Sequence, residues 1–143
     1  MNLTTILTFG TFDHIHPGHH HYLQSAKAQG GKLITIIARD SSVEKIKKFL
    51  PDHPEDERRQ MVADLGIADE VVLGDSDDHL RCIHQYRPDI IYLWYDHHVD
   101  DSYLETYCRS LGLPTKIMRG EAFHPEKYKS SLVREKLKEE KTK

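Results

Sequence analysis

Five short runs of apolar and β-branched residues, each trailed by a segment with helical spacing, constrain this chain more than any other feature. The runs are Leu3 to Phe9, Leu33 to Ala38, Glu70 to Leu73, Ile90 to Trp94 and Thr115 to Met118. Helices are expected near Gly18 to Gln29, Ser41 to Lys48, Pro54 to Leu65, Asp77 to Tyr86, Asp100 to Leu111 and Ser130 to Glu140. Parallel strands need a long crossover between them, and a helix is the usual one, so this alternation predicts a parallel sheet. The run Leu33-Ile34-Thr35-Ile36-Ile37 is nearly all apolar with little alternation, as expected where helices cover both faces of a sheet. The expected architecture is a doubly wound α/β domain with five parallel strands. Gly30-Gly31, Gly66, Pro88 and Gly112 punctuate its elements.

A length of 143 residues suits one domain and one core over 1–143, with 139–143 as a solvated tail. The formal net charge of -3 argues against a general attraction to nucleic acid or to acidic membrane surfaces. A bound anion must therefore be gathered by local groups. Cys82 and Cys108 fall in separate expected helices with no C-x-x-C spacing, which points to a reducing compartment and a cytoplasmic protein. The segment Met1 to Phe9 lacks a secretory pattern, and no apolar run approaches the roughly 20 residues that span a bilayer.

In doubly wound sheets, ligands collect beyond the carboxyl ends of the strands where the winding reverses. That rule marks residues 10–17, 39–48, 95–98 and 119–131. The first of these loops has the most chemistry. Gly10 permits a sharp turn and close approach to a ligand, and Thr11 offers a hydroxyl and an amide to a phosphate oxygen. Pro17 suits a first helical position, and the helix it opens aims backbone N–H groups and a positive dipole end at the same space. His16 and His19, three residues apart, can project from one face and donate hydrogen bonds to a polyanion. The chain has eleven histidines, five of them between His14 and His21; they are interrupted and internal, unlike an expression tag. A metal site and a plain surface cluster stand as alternatives to anion binding. Helical rotation carries His20 and His21 away from the His16/His19 face.

The segment Gly10-Thr11-Phe12-Asp13 followed by His16-Pro17-Gly18-His19 resembles the G-T-F-D-x-x-H-x-G-H signature of the cytidylyltransferase-like nucleotidylyltransferases. These include archaeal-type FAD synthase and glycerol-3-phosphate cytidylyltransferase. The likeness continues through Ile37-Ala38-Arg39-Asp40, Glu57-Arg58-Arg59, Arg87-Pro88-Asp89-Ile90-Ile91 and Ser130-Ser131.

The resemblance implies a single Rossmann-like domain that transfers a nucleoside monophosphate from ATP or CTP to a phosphate-bearing acceptor and releases pyrophosphate. FMN with ATP is the expected pair, and glycerol 3-phosphate with CTP the alternative, alongside a non-catalytic nucleotide-binding protein of the same fold. It assigns catalysis to His16, His19, Lys47 and Thr11, and nucleotide binding to Gly10, Thr11, Phe12, Gly18, Asp96, Arg119, Ser130 and Ser131. Asp13, Asp40, Lys45, Arg58 and Trp94 are expected toward the acceptor. For Asp13, orientation of the loop ranks above metal binding; for Arg58, the family's role is to structure the site or a subunit contact. Arg134, one helical turn beyond the serines, would reinforce them. Lys45, Lys47 and Lys48 all qualify as the lysine that touches the α-phosphate, with Lys47 preferred. Trp94 stands where such enzymes place a glycine, and it either reshapes the floor of the nucleotide site or stacks on a ring. Magnesium is expected to arrive on the triphosphate, no residue set is assigned to a protein-bound metal, and a homodimer is expected.

Overall fold

The computed structural model describes residues 4–75, 80–94 and 100–120. Five strands, β1 (Thr5–Gly10), β2 (Lys32–Ile37), β3 (Glu70–Leu73), β4 (Ile90–Leu93) and β5 (Lys116–Arg119), form one sheet in the order β3-β2-β1-β4-β5. Every pairing is parallel, with Leu7 opposite Ile34 on one side and Ile91 on the other. Helices α1 (Pro17–Lys27), α2 (Asp40–Lys47), α3 (Glu55–Asp64), α4 (Arg81–Tyr86) and α5 (Asp101–Ser110) provide the crossovers.

Alternate residues of the central strands feed two cores. Ile6, Leu33 and Ile37 pack with Tyr22, Leu23 and Ala26 of α1 and Val62 of α3. Leu7, Ile34, Ile36 and Ile91 pack with Cys82 and Ile83 of α4 and with Leu104 and Cys108 of α5. Both faces of the sheet are thus covered, which accounts for the unalternated β2 sequence. Each such aliphatic side chain contributes about 1.5–3 kcal/mol by leaving water. At the β1/β2 seam, Thr8 and Thr35 are fully buried and join hydroxyls at 2.8 Å, so the polar pair is satisfied within the core.

The expected strands and helices recur with small shifts at their ends. The helix expected from Gly18 begins at Pro17, because His16 serves as its N-cap. The one expected to Lys48 stops at Lys47, since Lys48 adopts a left-handed conformation (φ 66°) that closes the last turn. α3 opens with Glu55, Asp56 and Glu57 at its positive dipole end. α4 is described from Arg81; the residues expected to begin it at Asp77, and the final helix expected at Ser130 to Glu140, lie outside the described residues. Among the described residues, no helix is long and apolar enough to cross a membrane.

The winding reverses between β1 and β4. Both carboxyl ends open there, so the loop after Gly10 and the residue after Leu93 border one crevice.

Candidate active site

The loop after β1 is built on a backbone that only a few residues tolerate. Phe12 has φ +53°, which turns its ring back over Gly10; a Cβ on Gly10 would stand 2.5 Å from that ring. The ring is buried, lies 5.1 Å from the His19 imidazole and stacks on Tyr22. The Phe12 side chain is therefore a core anchor, so a nucleotide contact at this residue would fall to its backbone.

His16 and His19 come together as expected, with ring centroids 3.9 Å apart and planes inclined by 29°. They form a reciprocal cap: the Gly18 amide donates to His16 Nδ1 at 3.1 Å, and the His16 amide donates to His19 Nδ1 at 3.3 Å. Gly18 makes room for this fold, since a Cβ there would meet the His16 ring at 2.8 Å. An Nδ1 that accepts a hydrogen bond must carry a lone pair, so the neutral ring holds its proton on Nε2. Capping thereby selects the tautomer in which each Nε2–H is a donor.

Burial, with smaller repulsion from His14, pushes His16 down to about 4. Burial, with His16 and Lys47 nearby, pushes His19 down to about 3. Both rings are neutral at neutral pH. Their folded values lie below the ordinary 6.5, so the unfolded chain binds protons that the native state refuses. Stability from this source is complete above 6.5 and is lost as pH falls toward about 4 for His16 and about 3 for His19. Melting temperature followed downward from neutral pH should fall within that window, and His16→Asn should make the fall shallower.

Lys47 reaches over from α2, its Nζ 3.5 Å from Thr11 Oγ1. This brings together two of the residues expected to hold phosphates; Lys45 is exposed on the same helix. Trp94, at the end of β4, packs edge-on against Tyr22 at 5.2 Å and tilted against His19 at 5.5 Å. Its ring closes the wall beside the histidine pair and lies 3.3 Å from where a Gly18 Cβ would be. Arg119 faces the same edge, with Nε on Asp101 at 3.0 Å and Nη1 on the Trp94 carbonyl at 3.2 Å.

The residues expected toward the acceptor divide differently. Arg58 is fully buried and donates to the carbonyls of Thr11, Ala38 and His53 and to Asp40 Oδ1, at 2.7–2.9 Å. It fastens the phosphate loop to the end of β2 and the start of α3, so a substrate contact for Arg58 is corrected to the structuring role. Asp40 is its ion-pair partner and also accepts from the Glu55 amide, while Glu55 Oε1 accepts from the Asp40 amide. Asp13 accepts from the amides of Asp52 and His53, each at 2.9 Å, and from the His53 ring. Burial raises its carboxyl, but those three hydrogen bonds outweigh burial and hold it below the ordinary value. Asp13 thus orients the loop. Asp96, Ser130, Ser131 and Arg134 lie outside the described residues.

Sequence reasoning missed Asp52 and His53, which clamp the loop from 38 to 40 positions away, and Glu55, which holds one of its supports. It also missed Tyr22, whose hydroxyl donates to the Tyr92 carbonyl at 2.7 Å and ties α1 to β4. Period and motif carry no record of such pairings. The Glu55-to-Arg58 spacing at the start of α3 was the available hint.

Residues 7–136 match the Cytidylyltransferase-like family. The FAD synthase of Picrophilus torridus is 42% identical over 132 residues, covering 92% of this chain and 94% of that protein. The FAD synthase of Methanosarcina acetivorans is 45% identical over 117 residues, covering 82% of this chain and 76% of that protein. Among solved structures, the lipopolysaccharide core biosynthesis protein from Thermoplasma volcanium superposes with a TM-score of 0.81 at 31% identity. It covers 85% of this chain and 99% of its own.

Proposed function

The chain belongs to the cytidylyltransferase-like family, and from that premise we propose that it is an FMN adenylyltransferase, joining AMP from ATP to FMN and releasing pyrophosphate. Near-full-length similarity to FAD synthases supports the acceptor. The observation that carries the chemistry is the stacked, neutral pair His16 and His19, each with Nδ1 committed to a backbone amide and a proton on Nε2.

An oxygen of the FMN phosphate attacks the α-phosphorus in line, the bond to the β-phosphate oxygen breaks, and pyrophosphate leaves. No protein nucleophile is needed, so catalysis consists of positioning and charge neutralisation. In this reading, the two Nε2–H groups donate to oxygens around the α–β bridge, where negative charge grows. A neutral donor held rigidly before the reaction stabilises that charge without reorganising. Lys47 and Thr11 hold the phosphates from the α2 side, and Ser130 and Ser131 are proposed for the departing pyrophosphate. Arg58 and Asp13 keep the loop in register without touching substrate.

Magnesium fits as a ligand of the triphosphate. The Asp13 carboxylate sits among imidazoles that suit this hard cation poorly, so phosphate oxygens would supply its ligands. When bound, it neutralises phosphate charge. The proposal extends to a single domain over 1–143, a homodimer and a reducing cytoplasm, the last supported by Cys82 and Cys108 standing as buried free thiols.

Purified protein with magnesium, FMN and ATP should release pyrophosphate and form FAD, while glycerol 3-phosphate with CTP should release none. Nucleotide binding without pyrophosphate from either pair would favour a binding protein and overturn the proposal.

A further inference from the structure

A second cluster of potential ligand atoms lies on the phosphate loop and the segment that it meets before α3. Asp13, His14 and His53 bring one carboxylate oxygen and one nitrogen from each ring within 4.8 Å of one another. His53 Nδ1 is 3.0 Å from Asp13 Oδ1, and His14 Nε2 is 3.9 Å from Asp13 Oδ2. Asp52 joins them, its Oδ2 2.7 Å from His14 Nε2. The two rings meet edge to face, with centroids 5.2 Å apart. We propose that Asp13, His14 and His53, with Asp52 beside them, form a binding site for a divalent first-row transition metal ion of the zinc or cobalt type.

Ligand chemistry and spacing both support the assignment. Two imidazoles and one or two carboxylates suit zinc, cobalt or nickel, and disfavour magnesium or calcium, which take oxygen ligands. Nitrogen and oxygen ligands about 2.0–2.2 Å from a tetrahedral ion stand about 3.4 Å from one another. The ring–carboxylate separations of 2.7, 3.0 and 3.9 Å bracket that value, so closure needs shifts of up to about 0.7 Å at these contacts. Without the ion, each ring–carboxylate contact holds a proton: His53 Nδ1–H on Asp13, and His14 Nε2–H on Asp52. On binding, each neutral ring moves that proton to its other nitrogen and gives the freed lone pair to the metal. Asp13 keeps its bonds from the Asp52 and His53 amides, which fix the carboxylate as supporting groups do around metal ligands.

The His16/His19 pair is less suited, because each Nδ1 is already taken by a backbone amide. His20 is exposed and is not a member of the cluster. An ion at Asp13, His14 and His53 would tie the phosphate loop to the 52–53 segment that leads into α3. It would reinforce the clamp that Arg58 makes at Thr11 and His53.

The test is titration of chelator-treated protein with Co2+, followed by its visible absorption and by thermal melting. One ion per chain should bind with a nitrogen–oxygen ligand spectrum, and saturation should raise the melting temperature. His53→Ala, at a side chain 35% exposed, should weaken binding by roughly 100-fold or more, and His14→Ala should do the same. The double variant His20→Ala/His21→Ala should bind as the parent does. Circular dichroism shows whether each variant is folded, and a folded His53→Ala suffices to decide if His14→Ala is not. Absence of saturable Co2+ binding, unchanged binding in folded His53→Ala, or loss of binding in the His20/His21 variant would each overturn the proposal.

Discussion

Replacing His16 with asparagine should lower FAD formation by about 10²- to 10³-fold, the scale set by removing one preorganised donor from a developing oxyanion. The loss should fall mainly on kcat, because the donor matters most where charge grows. Asparagine is chosen over alanine for a physical reason. His16 is both the N-cap of α1 and the bearer of the Nε2 proton, and alanine at an N-cap costs about 1 kcal/mol, whereas asparagine is among the best caps. His16→Asn therefore separates the two roles: melting near neutral pH should stay close to the parent while turnover collapses. Turnover within a few-fold of the parent in this variant would end the catalytic assignment of the pair. His21→Ala serves as control and should change little.

The second large effect is on stability. Arg58→Met should destabilise the protein by about 3–5 kcal/mol, the usual consequence of removing one partner from a buried ion pair. It should lower the melting temperature by roughly 10 °C or more. The side chain is fully enclosed, and its loss strands the carbonyls of Thr11, Ala38 and His53 and leaves Asp40 without its cation. Lysine keeps the charge but not the planar fork that reaches four acceptors, so Arg58→Lys should recover only part of the loss. A melting temperature unchanged in Arg58→Met would show that water replaces these bonds without penalty.

How far the sequence could be read depended on the range of each interaction. β2 was legible because five consecutive buried positions leave an apolar run in the chain itself. The His16–His19 pairing was legible because both rings belong to one helical turn. Arg58 stood out by its motif, but its burial did not, since nothing near it in sequence announces acceptors as far away as Thr11 and Ala38. Asp13 and His53 are in the same position: each is ordinary in its own segment, and they acquire meaning only where the fold brings them to 3.0 Å. The inward course of Phe12 was hidden for another reason. Its place in a ligand-binding motif suggested contact with the ligand, whereas the left-handed backbone at that residue sends the ring inward.

That inward ring makes glycine at position 10 part of the histidine machinery at one remove. Phe12 is a cantilever lodged between Gly10 and His19, so even one added methyl at the strand end would push the lever, and the lever would tilt the imidazole. Damage there would look like a fault in proton placement, although the altered atom touches no nitrogen. The tolerance of this loop to change is thus set by its tightest internal fit more than by the polyanion it faces.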